Sequence, residues 1–365
     1  MKTLISITHR VSPRHQRQRG LTLIELMVAI TIGLILTAGV IQIFIGSNQT
    51  YRFQESMSRI QENGRFGVET IARVLRNADY RGCLGRSLDD SQTIDLTAGP
   101  GGGQGGGQGG GQGGGQGGGQ GGGATFDFSG SIRGHTNNGG WSPTLDADIA
   151  GENPSPDGDV LRVRSSANGG ASDVSPPEDQ SSGTNLFVEE KAGFAQNEIV
   201  VGTNCSQAVR FEITNNPGTG PGQLTVPGNP GFYDTYEPDE IYSSGLSYFY
   251  IADGIGNEPA LFQRGPDGTV RELVEGVERM ALQFGEDTGA NNYPEANVYR
   301  TADNVNDWES VVAVRVSLLV RGREDNVTDE PQTISFPPGA APQTVNDRRL
   351  RQVFTTTTSL RNRLE

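Results

Sequence analysis

Chemistry-bearing residues are scarce in this chain. Histidine occurs three times and cysteine twice in 365 residues. Two of the histidines, His9 and His15, fall in a short basic leader, which leaves His135 alone in the body of the chain, inside Gly134-His135-Thr136-Asn137-Asn138. That setting reads as a Gly/Asn-rich loop. There is no Gly-x-Ser-x-Gly, no phosphate-cradling glycine loop and no metal-spaced His/Cys cluster. Two cysteines without further ligands do not make a zinc site. Positive charge is also short: the formal balance is −14, whereas a nucleic-acid partner needs a basic patch. Acidic loops are plentiful. Asp146-Ala147-Asp148-Ile149-Ala150-Gly151-Glu152 has a loose likeness to a calcium loop but lacks the third acid and the glutamate at the twelfth position. Asp287 to Asn297 is oxygen-rich in the same way, and both read as solvated surface. The expectation is a chain that is not an enzyme, with no cofactor, no metal and no nucleic acid.

What is present starts at the N-terminus. Lys2, Arg10, Arg14, Arg17 and Arg19 precede Gly20 with no acid among them. From Leu21 to Ile45 the only formal charge is Glu25, and the other polar residues are Thr22, Thr31, Thr37 and Gln42. As a helix this run is roughly 37 Å long, enough to cross a hydrocarbon core of about 30 Å. The basic leader stays in the cytoplasm by the positive-inside rule, and everything after Ile45 is exported. A conventional secretory signal would have a shorter apolar region followed by a small-residue cleavage site; here the glycine lies before the run. A carboxylate at membrane depth must protonate, snorkel or pair, so Glu25 is a functional candidate.

The segment Gly20-Leu21-Thr22-Leu23-Ile24-Glu25 resembles the class III signal of type IV prepilins and type II secretion pseudopilins. The resemblance implies that prepilin peptidase cuts between Gly20 and Leu21 on the cytoplasmic face and N-methylates Leu21. The first mature residue in that family is most often Phe, and here it is Leu. The new Leu21 amine would then meet Glu25 of a neighbouring subunit, a pair that sets axial register more than it adds stability. Loss of residues 1–20 takes five positive charges from −14 and leaves −19.

Beyond Ile45 the helical pattern continues. Phe53, Met57, Ile60, Gly64, Gly67/Val68, Ile71, Leu75 and Ala78 recur at spacings of three and four and form one stripe. Gly64 and Gly67 suit close packing on a sheet. Asn77 to Gly82 should end the helix. The remainder reads as β-structure, with alternating segments at 160–164, 209–213, 246–251, 260–264, 269–274, 277–284, 312–320 and 353–360. Pro266-Asp267-Gly268 marks a hairpin. Gly-, Pro- and Asn-rich stretches predict long loops at 142–159, 168–185 and 214–239. Five copies of Gly-Gly-Gly-Gln and a final Gly-Gly-Gly fill 101–123, a coil with no surface to bury. The domain scheme is therefore a leader (1–20), a long helix (21–79, of which 21–45 is transmembrane) and an α+β, pilin-like head (80–365) with a disordered insertion at 99–124. Two cysteines in an oxidising compartment suggest a Cys83–Cys205 disulfide. It would close a loop of roughly 120 residues, worth on the order of 4–5 kcal/mol in the chain-entropy model; two buried thiols are the alternative.

Leu75 to Cys83, Val311 to Arg321 and Arg351 to Leu364 resemble the PilW family of type IV pilus minor pilins, and the related J-type pseudopilins. That resemblance implies a structural subunit that primes pilus assembly and sits at or near the tip. Its implied partners are prepilin peptidase, other minor pilins and the major pilin, the inner-membrane assembly platform and a tip adhesin. Before assembly it would be a single-pass inner-membrane protein with a periplasmic head, and afterwards part of the pilus at the cell surface. A J-type pseudopilin and an adhesive tip module that recognises a ligand through the 84–240 loops are the alternatives. Arg348, Arg349, Arg351, Arg361 and Arg363 read either as a docking site for an acidic partner or as charges that guard an edge strand.

Overall fold

The computed structural model describes residues 20, 22–80, 82, 93–96, 129–166, 170–174, 183–226, 237–289 and 293–364. Residues 1–19 of the leader, Leu21, Cys83 and the 99–124 insertion lie outside them. The chain divides into two compact units, residues 1–54 and 55–365. Helix α1, Leu23–Arg76, contributes to both.

In the first unit α1 is apolar and bare. Leu23, Ile24, Leu34, Ile35, Ile43 and Phe44 are all exposed. Its threonines do not present orphan hydroxyls. Thr31 Oγ1 donates to the Met27 and Val28 carbonyls at 3.0 and 2.9 Å, and Thr37 Oγ1 to the Gly33 carbonyl at 2.7 Å. Back-bonding of this kind lets a hydroxyl sit in an apolar medium with its donor satisfied. Among the described residues α1 is the one helix long and apolar enough to cross a membrane.

In the second unit the later turns of α1 lie on antiparallel sheet. Strands β14 (Val277–Glu286), β15 (Val298–Arg300), β16 (Val311–Arg321) and β19 (Arg351–Ser359) form a four-stranded sheet in the order β15-β14-β16-β19. A six-stranded sheet runs β13-β12-β11-β4-β2-β3. It comprises β2 (Ile132–Asn137), β3 (Trp141–Ser142), β4 (Val160–Ser165), β11 (Gly245–Asp253), β12 (Pro259–Arg264) and β13 (Val270–Glu275). The β12–β13 pair is the hairpin marked by Pro266-Asp267-Gly268.

Ile60, Ile71, Val74 and Leu75 of the helix share one core with Val314, Val316, Leu318 and Val320 of β16, and with Leu161, Phe249 and Phe284. The two glycines are there for contact. A Cβ on Gly64 would lie 2.2 Å from the Phe354 ring, and one on Gly67 would lie 2.9 Å from Leu318 Cδ1. Phe53, the first residue of the expected stripe, is exposed. The helix stops at Arg76, three residues before the expected end. Asp79 takes φ +57°, and its N–H goes to the Arg164 carbonyl instead of continuing the helical ladder.

The middle of the chain makes its own core. Strands β5 (Ala171–Asp173), β7 (Ile199–Thr203), β8 (Ala208–Glu212) and β10 (Glu240–Ser243) join β1 (Thr93–Asp95) in the order β1-β8-β7-β10-β5. The β1–β8 pair is parallel. A two-stranded antiparallel sheet of β6 (Asn185–Val188) and β9 (Gly222–Thr225) shares its core. Leu186, Val188, Val200, Phe211, Leu224 and Ile241 are buried together. A second hairpin, β17 (Gln332–Ile334) with β18 (Gln343–Val345), precedes β19. Three expected loops therefore contain structure: α2 (Ala147–Ala150) in the first, β5 and the start of β6 in or beside the second, and β9 in the third.

Candidate functional site

Two places gather the singled-out residues. The first is the start of α1. Thr22 Oγ1 accepts from the Glu25 N–H at 3.3 Å, and Glu25 Oε2 accepts from the Thr22 N–H at 3.0 Å and from its hydroxyl at 2.9 Å. This is a capping box, in which residues three apart satisfy each other's open N–H groups at a helix start. Thr22-x-x-Glu25 carries that signature in the sequence, and the reading of Glu25 as an isolated acid missed it. The carboxylate also sits in the first turn, at the positive end of the helix dipole. Oε1 makes no hydrogen bond among the described residues. Gly20, five residues earlier in the chain, is exposed.

The second place is the far end of α1. Asp79 and Arg363 are both buried, and Arg363 Nε donates to Asp79 Oδ2 at 2.8 Å. Ser131 Oγ donates to Asp79 Oδ1 at 2.9 Å. The same guanidinium donates through Nη1 to the carbonyls of Trp308 and Val311, at 2.6 and 2.9 Å. Asn362 Nδ2 donates to the Ala78 carbonyl at 2.7 Å. A buried ion pair persists when its remaining donors and acceptors are also satisfied, as here. Cys205 sits on the tight turn between β7 and β8, with φ +62°, and is disulfide-bonded.

The late arginines divide in two, which corrects both readings of them as one cluster. Arg351 is buried and donates to Glu278 and Asp347, each at 2.6 Å. Those Arg351 hydrogen bonds hold the Asp347 carboxyl down at a pKa of about 2. Arg349 pairs with Glu258 at 3.1 Å and with Asp325, and Arg321 joins Glu258 at 2.7 Å. With Arg363 committed to Asp79, Arg348 and Arg361 are the two of the five that are exposed and, among the described residues, outside any ion pair.

His135 is not in a loop. It lies on β2, fully buried, with Nδ1 3.0 Å from the Pro143 carbonyl, and burial lowers its pKa. The acids of the loose calcium loop face arginines: Asp146 accepts from the Tyr248 hydroxyl at 2.9 Å and lies 3.3 Å from Arg162, and Asp148 and Glu152 flank Arg264. Glu286, next to the other acidic loop, is buried and accepts from Arg300 at 2.6 Å and from the N–H groups of Asn306 and Asp307. No group of three or more potential metal ligands occurs among the described residues.

Two family models match this chain. Residues 15–41 match the prokaryotic N-terminal methylation motif, and residues 248–362 match type IV pilus-assembly protein W. No curated protein matches it. A type IV-like pilin from Thermus thermophilus is similar at 12% identity over 47% of this chain and 87% of its own, with a TM-score of 0.23, a likeness too slight to carry an argument. The apolar N-terminal helix, the antiparallel head and the methylation motif define a pilin-like protein anchored through its N-terminus. Within that class, the stretch from β11 to β19, under a third of the chain, is similar to type IV pilus-assembly protein W.

Proposed function

We propose that this chain is a non-catalytic subunit that primes assembly of a type IV pilus and stays at or near its tip. Prepilin peptidase removes 1–20, cutting after Gly20, and Leu21 becomes the methylated N-terminus. Glu25 then has two tasks. Oε2 holds the helix start through Thr22, and Oε1 accepts from the Leu21 amine of a neighbouring subunit. The capping box carries this reading: it leaves one carboxylate oxygen uncommitted beside the cut, where a neighbour's cation is the partner that lipid cannot supply. The head remains periplasmic until the subunit leaves the membrane with the pilus. Cys83 is the partner we assign to Cys205, so the disulfide ties the segment after α1 to the β7–β8 turn.

A deletion strain scored separately for surface pili and for type II secretion tests the assignment. Loss of pili with intact secretion is the expected result. Intact pili with failed secretion would move the chain to the J-type pseudopilins.

A further inference from the structure

Among the described residues strand β19 is the outer strand of its sheet, and it lacks the usual protection of an edge. Natural edges are blunted by charge, proline, bulges or shortness. β19 has nine residues and pairs with β16 in unbroken register from Arg351 to Ser359. Gln352-Val353-Phe354-Thr355-Thr356-Thr357-Thr358-Ser359 contains no charge and no proline. The arginines expected to guard it do not: Arg349 and Arg351 turn to internal carboxylates, and Arg363 to Asp79.

The register tells which backbone groups point outward. The Leu360 N–H donates to Val312, and the Gly322 N–H to Leu350. Even-numbered residues of β19 therefore face β16, because pairing alternates along an antiparallel ladder. Arg351, Val353, Thr355, Thr357 and Ser359 direct their N–H and C=O away from the sheet. At Arg351 both groups are already taken, by one side chain: the Arg351 N–H donates to Gln332 Oε1 at 2.7 Å, and Gln332 Nε2 donates to the Arg351 carbonyl at 3.3 Å. A primary amide there imitates the residue of an added strand. The next four outward residues have no such cover among the described residues, and Thr355, Thr357 and Ser359 are exposed.

We infer that the outer edge of β19 receives an extended strand from a different subunit of the pilus, so that the four-stranded sheet continues across the subunit boundary. The inference rests on the pilus-subunit reading above. Main-chain bonding would supply affinity, as in other strand additions. Charge selects the occupant. Exposed Arg348 and Arg361 lie just beyond the two ends of the uncharged run, so the fitting strand is uncharged in its middle and acidic at its flanks. A second copy of this chain does not fit. Antiparallel pairing of β19 with itself brings the Arg348–Arg351 end of each strand against Arg361 of the other, and facing like charges are unfavourable.

Amide hydrogen exchange on the full chain tests this, alone and co-expressed with the other minor pilins of its pilus. Alone, the amides of Val353, Thr355, Thr357 and Ser359 exchange fast while their even-numbered neighbours are protected. In the assembly they slow by at least ~100-fold. Thr357→Pro removes one outward N–H without touching the β16 ladder, and it lowers recovery of the assembly at least ~10-fold. If that variant does not fold, the doubly substituted Arg348→Glu/Arg361→Glu chain must show the same loss. Unchanged exchange at the four amides, or full recovery with both variants, overturns strand addition. Protection that appears in the isolated chain as its concentration rises overturns the choice of a different subunit. The N-terminal mass of the same samples separates the two readings: a cleaved, methylated chain with unprotected amides sinks only strand addition, and an uncleaved chain sinks the pilus-subunit reading itself.

Discussion

Arg363 reaches Asp79, 284 positions earlier in the chain, and donates to its carboxylate at 2.8 Å, with both side chains closed off from solvent. The contact joins the turn that follows α1 to the turn that follows the last strand. Leu75 to Cys83 and Arg351 to Leu364 were two separate stretches of family likeness in the sequence. The described part of the first meets the second through this pair and through Asn362 on the Ala78 carbonyl.

Breaking that pair from one side should cost more than removing it whole. Arg363→Met leaves Asp79 charged and buried, and we expect a loss of about 3–5 kcal/mol in denaturant unfolding of the head. Asp79→Asn/Arg363→Met together should cost less than the sum of the two single changes. Additive losses in a double-mutant cycle would show that the two side chains do not depend on each other.

The seat of the helix makes a separate prediction. Gly64→Ala puts a methyl where the Phe354 ring stands, 2.2 Å from the nearest atom. Overpacking of this kind costs about 1–3 kcal/mol. Phe354→Leu in the same chain should recover part of the loss by making room, read as a melting temperature between those of Gly64→Ala and the unsubstituted chain. A Gly64→Ala chain as stable as the original would mean that the helix does not bear on β19 there.

Asp159 sets a pH dependence. Burial raises its pKa to about 6, although it accepts from the Leu282 N–H at 2.7 Å. The folded value lies above the unfolded value of about 3.9, so the ionised carboxylate disfavours the folded state. That penalty is full above pH 6 and fades as pH falls toward 4. Asp159→Asn keeps an acceptor for Leu282 and removes the charge. It should stabilise the head by about 1–2 kcal/mol at pH 7.5 and by nothing measurable at pH 4. A constant difference across that range would contradict the assignment.

The two tasks of Glu25 can be separated at Thr22. Thr22→Val removes the capping hydroxyl but keeps the carboxylate, so incorporation into pili should fall only modestly. Glu25→Gln keeps a capping acceptor but cannot pair with an amine, so incorporation should be lost while membrane insertion is normal. Equal incorporation of the two variants, measured by immunoblot of sheared pili, would remove the pairing role.

Period decided how much of this was legible. The helix stripe and β16 repeat their pattern over many residues, and both were readable to within a few positions. Of the second core only β8, expected at 209–213, was. Its strands are three to five residues long, and β7, Ile199-Val200-Val201-Gly202-Thr203, is buried along nearly its whole length, so no alternation marks it. His135 was hidden by its neighbours: Gly134 reads as a turn, but here its bare Cα lets the Phe284 ring approach. The capping box was written in Thr22-x-x-Glu25 and was overlooked because Glu25 was read as a membrane charge first. The fate of the late arginines could not be read locally, since Glu258, just before β12, and Glu278, on β14, lie about 70 to 90 residues earlier.

The central claim is that Gly20/Leu21 is a processing site which readies the chain for assembly. Intact-mass and N-terminal fragment measurement of the protein recovered from sheared pili tests it most directly. The account predicts a chain beginning at Leu21 with one added methyl on its amine. A product that retains residues 1–20, or one cut after the apolar run, would contradict it.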